Sequence, residues 1–147
     1  SLGIALGFMA LTSIVAQLTI VQKLKIAPIK LVQWSTPFFL LGTLIIIYAS
    51  SFNIYVFGMS IIGLGMGLGT PGYTAAASLN SDSESQGAAV GLAMVAPGLG
   101  FSIGPFLGGF LYESSPSLPF LAILPIFFLV FLIASYINKS TVVDKTL

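Results

Sequence analysis

Long apolar stretches, separated by a few short polar segments, make up nearly the whole chain. The first runs over residues 2–21, with Thr12, Ser13, Gln17 and Thr19 as its polar members. A basic loop with Lys23, Lys25 and Lys30 follows, and Pro28 within it breaks any continuous helix. The 51 residues from Leu31 to Ser81 carry no charge, which is too long for one bilayer crossing and suits two. Ser50-Ser51-Phe52-Asn53 is the natural turn between these two, so the second span is placed at 31–49 and the third at 54–77. Asn80 to Ser85 forms an acidic connector, in which Glu84 or Ser85 is expected to cap the helix that follows. A fourth span covers 86–112; as a helix it is about 40 Å long, more than the hydrocarbon core, so it must tilt, bend or project. After a short turn at Glu113 to Ser117, a fifth span at 119–137 is rich in Phe, Leu and Ile and reads as lipid-facing. A polar tail, 138–147, ends the chain. The fold class is all-α, a polytopic transmembrane helix bundle of five spans.

Composition turns this pattern into a class. Of the 147 residues, 56% are hydrophobic and 6% charged, with mean hydropathy +1.07. A soluble fold of this size cannot hide so much apolar surface. The chain is an integral membrane protein, and the lipid bilayer is its first partner. A net charge of +1 gives no reason to expect nucleic acid. The absence of cysteine and histidine removes disulfides, thiol chemistry and the usual zinc or haem ligand sets, so no metal and no cofactor is expected. No nucleophile–base pair and no phosphate-binding loop is present, so an enzyme is not expected.

The five lysines set an orientation. Lys23, Lys25 and Lys30 follow the first span, and Lys139 and Lys145 follow the fifth, so all fall on one side of the membrane. The positive-inside rule makes that side, and the C-terminus, cytoplasmic. Ser1 then lies outside and begins within an apolar run, so at least one further span is expected upstream.

Glycine is the second pattern. Gly87 and Gly91, then Gly100, Gly104 and Gly108, recur at four-residue steps along one face of the fourth span. Such a stripe lets a neighbouring helix approach backbone to backbone, and Pro97 and Pro105 invite bends. In the third span, Gly63–Gly67 and Gly65–Gly69 are G-x-x-x-G pairs on two sides of the helix.

At Gly100 to Gly109, G-F-S-I-G-P-F-L-G-G, the chain resembles the G-P-x-x-G-G signature of the drug-efflux antiporter branch of the major facilitator superfamily. The glycine-rich helix ending G-T-P-G-Y-T-A-A-A-S-L, the acidic loop and Q-G-A-A-V-G-L are similar to the same family. The basic loop Q-K-L-K-I-A-P-I-K lacks the Asp, Gly and Arg of the first-half loop signature, and residues 54–79 contain no arginine. The resemblance is therefore to helices eight to twelve, the C-terminal half. It implies a twelve-helix transporter whose N-terminal half is absent from this chain and is its partner. Spans one, three and four would line the cavity, and spans two and five would be peripheral. It also implies proton-coupled efflux of drugs by alternating access. Short loops suit a bacterial inner membrane. The alternatives are an N-terminal-half fragment of a related transporter and a non-transporting membrane module.

No ionisable acid or base lies inside any span, so this portion carries no carboxylate proton relay and no site for a strongly charged substrate. Its offer to a small-molecule substrate is apolar, aromatic and weakly polar, which suits lipophilic or amphipathic drugs. The candidate cavity residues are Ser13 and Gln17, Met66, and Met94, Phe101 and Ser102. Gln17 leads, because an amide in hydrocarbon needs a hydrogen-bond partner. Gly100, Gly104, Pro105, Gly108 and Gly109 are assigned to helix packing and bending.

Overall fold

The computed structural model describes residues 1–79 and 81–144, with side chains described through 138. Its helices are α1 (Leu2–Leu24), α2 (Pro28–Ile47), α3 (Phe52–Leu79), α4 (Gln86–Ser114) and α5 (Leu118–Asp144). All five are long and apolar enough to cross a membrane. A helix satisfies its own backbone polar groups, which is why apolar segments without water can adopt little else. Asn80, expected to open the connector, and Lys145, used for the orientation, lie outside the described residues.

Local chemistry explains the ends. Lys25 takes a left-handed conformation, φ 43°, which stops α1. Pro28 is the first residue of α2, where its missing N–H costs nothing. Pro28 does interrupt the helix as expected, and it also starts the second span three residues earlier than 31. At the start of α3, Ser51 Oγ accepts from the Ile54 N–H at 3.4 Å. Ser85 stands before α4, but its hydroxyl donates back to the Asp82 carbonyl at 3.1 Å and makes no cap. The tail expected from 138 is instead helical through Asp144.

The fold is built around α3. Glycines at 63 and 67 meet α1, while those at 58, 65, 69 and 72 meet α2. At about 100° per residue the two sets point to nearly opposite faces, so α3 is sandwiched. On the α1 side, a Cβ at Gly63 would run into Thr12 Oγ1 and the Met9 carbonyl, and one at Gly67 into the Ser13 carbonyl. On the α2 side, a Cβ at Gly58 would lie 3.1 Å from the Gly42 carbonyl, and one at Gly42 would lie 2.8 Å from the Gly58 carbonyl. Backbone therefore meets backbone on both faces. Ala5 and Ala16 are completely buried, and with Met9 and Thr12 they form the i, i+4, i+7, i+11 stripe that α1 presents.

Polar groups fasten the helices. Thr12 Oγ1 lies 2.9 Å from the Ser60 carbonyl and bonds α1 to α3. Gln33 Nε2 donates to Ser135 Oγ at 3.0 Å, joining α2 to α5. Phe39 and Phe127 stack at 4.9 Å across the same pair. α5 is largely exposed, with Ala134 buried.

Two outcomes follow. Gly67→Leu should destabilise the chain by about 1–3 kcal/mol through overpacking of the α1 seam, read as a lower melting temperature in detergent, while Gly98→Ala should not destabilise it. A double-mutant cycle on Gln33→Leu and Ser135→Ala should give a coupling of about 0.6 kcal/mol, the mean for hydrogen bonds between membrane helices.

Candidate functional site

α4 contrasts with α3. None of its residues is buried, and a Cβ added at any of its seven glycines would find nothing within 4 Å. Ala89, Val90 and Ala93 near its start and Leu111 near its end are half-buried, whereas residues 98–107 are all exposed. Helical spacing puts Ala93, Pro97, Gly100, Gly104 and Leu111 on one face. The helix thus rests against the bundle at its ends and stands clear in the middle. It is continuous across Pro97 and Pro105. A Cβ added at Gly100, Gly104, Gly108 or Gly109 would meet no atom of the described residues beyond the helix itself within 4 Å, although Gly108 is half-buried.

The α4 candidates lie on this bare stretch. Phe101 is 79% exposed and Met94 half-exposed; being seven residues apart, they share a face. Ser102 is beside Phe101, and its hydroxyl donates to the Gly98 carbonyl at 3.0 Å. That bond leaves the oxygen free to accept from a ligand. No hydrogen bond or ring contact among the described residues connects these three to α1.

α1 supplies the other part. Between Ala16 and Gln22 the helix widens into a π-helical turn, Gln17–Val21. Three β-branched residues, Thr19, Ile20 and Val21, crowd this turn and weaken its preference for the tighter α form. Short π segments occur disproportionately at functional sites. Gln17 opens the turn; it is exposed, and its Nε2 donates to Ser13 Oγ at 3.5 Å. Ser13 is half-buried, with its carbonyl against Gly67 and its hydroxyl toward Gln17. Met66, half-buried, is the residue before Gly67. The structure therefore brings Ser13 and Gln17 together at the edge of the α1–α3 seam, with Met66 on the helix across it. Sequence reasoning placed the Ser13–Gln17 pair from its spacing but missed the π turn and the Thr12 bond to α3. The hydroxyl of Thr12 had a signal, a polar atom four residues from Phe8 in an apolar run, but no sequence pattern announces a π turn.

Chemically, these surfaces offer an aromatic ring, thioethers, one amide and hydroxyls, with no charge inside the spans. They can hold an apolar or weakly polar molecule, and they hold no group that titrates near neutral pH. Comparison with curated proteins and with solved structures gives no match. A protein-family model, Major Facilitator Superfamily, matches residues 1–145, essentially the whole chain. Five apolar helices, the close glycine packing of α1, α2 and α3, and that match together place the chain in the Major Facilitator Superfamily of membrane transporters.

Proposed function

We propose that this chain is the C-terminal half, helices eight to twelve, of a twelve-helix drug-efflux antiporter of the bacterial inner membrane, with its C-terminus in the cytoplasm. The observation that carries this reading is the bare middle of α4: ten consecutive positions, 98–107, exposed and uncharged. A transmembrane helix faces either lipid or protein, and a lipid-facing helix has no use for glycines at 98, 100, 104, 108 and 109. The N-terminal half, together with helix seven, is the partner that would face this surface and close the substrate cavity with it. Phe101 and Met94 then supply the apolar wall for a lipophilic drug, and Ser102, Gln17 and Ser13 the few polar contacts that orient it. Proton coupling falls to an acidic residue in the other half, because the acidic residues on these helices, Glu113 and Asp144, stand at helix ends. The Gly100–Gly104–Gly108 stripe lets α4 slide against its partner helix as the two halves alternate.

The test uses the complete transporter in inverted membrane vesicles. Uptake of a lipophilic fluorescent dye into the vesicles should collapse on adding an uncoupler; uptake that persists without a proton gradient removes the antiport reading. Gln17→Leu should slow transport about fivefold at unchanged protein level, the cost of one amide hydrogen bond. Gly104→Leu should abolish transport while leaving insertion intact. Normal rates in that variant mean that close approach at 104 is not needed.

A further inference from the structure

A cavity open to the surface lies at the lysine-free end of the bundle, just beyond the α4 stripe, where Tyr112 stands one turn after Gly108. It measures about 640 Å³ and lies between the α2–α3 turn and the α4–α5 turn. Four aromatic rings line it: Phe52 and Tyr55 from α3, Tyr112 from α4 and Phe120 from α5. Phe52 and Tyr55 are stacked with centroids 6.5 Å apart and planes 21° from parallel. A cation seated over the pair would lie within the roughly 6 Å over which a ring face attracts it. Ser51 and Ser117 add hydroxyls at the rim, while Ile46 and Ile47 continue the wall into the apolar part of the bundle.

Charge selects the same class of ligand. Glu113, next to Tyr112, is the one Asp, Glu, Lys or Arg between residues 85 and 138, and the turn at 48–51 carries none. Glu113 is therefore the one charged side chain next to these turns in sequence, and no Lys or Arg stands beside them. We infer that this cavity holds the ammonium head of an amphiphile, a phospholipid of the adjoining leaflet, with the acyl chain running along Ile46 and Ile47. The site is independent of the transport reading, since it needs only a membrane and the two turns.

The full chain is placed in nanodiscs made of equal parts phosphatidylethanolamine and phosphatidylglycerol with identical acyl chains, and the lipids it retains on release are identified by native mass spectrometry. The ethanolamine lipid should be retained about fivefold over the glycerol lipid, the size of an exposed cation–π preference. Tyr112→Leu and Phe52→Leu alter half-exposed rings, so the fold survives, and each should bring retention toward the bulk ratio. Phe110→Leu, at a ring more exposed than either and outside the cavity, should leave the preference intact and shows that ring loss alone is not the cause. Displacement by millimolar tetramethylammonium would support the inference with a free cation as a competent occupant. Retention in its presence would support it with the lipid held by head and chain together. Equal retention of the two lipids, or a preference that survives both ring variants, overturns the ammonium site.

Discussion

Close contact of backbone with backbone along both faces of α3 is what the rest of this structure depends on. In lipid there is little hydrophobic gain in bringing two apolar helices together, because the lipid tails are as apolar as the side chains. Association then rests on dispersion, which falls steeply with distance, and on the few hydrogen bonds that close approach permits. Glycines at 63 and 67 on one face and 58, 65, 69 and 72 on the other provide that approach to two helices at once. The Thr12–Ser60 bond is a consequence: a short side chain reaches a carbonyl on the next helix only because no Cβ stands between. Small residues accordingly predominate in the buried set among the described residues, with Leu68 and Thr36 its largest fully buried side chains.

The same residue type has the opposite surroundings in α4. Its glycines meet open space, and its proline-containing middle is unsupported by the other four helices. Within this chain, a tightly packed scaffold of α1, α2 and α3 is braced by α5 and carries one long helix held near its ends. The proposed alternating access needs this division, a fixed frame and an element whose contacts can change. The π turn at Gln17 adds a second irregular point, on the helix that presents the Gln17 amide and the Ser13 hydroxyl.

The aromatic cavity at the lysine-free end shows how two turns with little in common in sequence acquire joint chemistry. Ser50-Ser51-Phe52-Asn53 reads as a turn and nothing more, and Tyr112 reads as an interfacial aromatic. Only their meeting creates a ring-lined volume.

Much of this protein was determined by the sequence alone. Five spans, their order and the turn positions follow from the lengths of the uncharged runs, since a backbone in hydrocarbon has to satisfy itself as a helix and a lysine has to stay near water. The two-sided role of Gly63–Gly67 and Gly65–Gly69 followed from their angular offset, and the Ser13–Gln17 pair from its four-residue spacing. Helix ends were legible only to within a few residues: Pro28 and Ser85 were each consistent with more than one local role, and backbone geometry chose between them. The tertiary structure alone decided which glycine stripe is packed and which is bare, because G-x-x-x-G spacing records that a close approach is possible and says nothing of which helix arrives. It alone also placed the π turn, paired Gln33 with Ser135 across 102 residues of chain, and joined four rings from three helices around one cavity. Each of these depends on contacts between distant segments, and the periodicity of one segment carries no information about its neighbour in space.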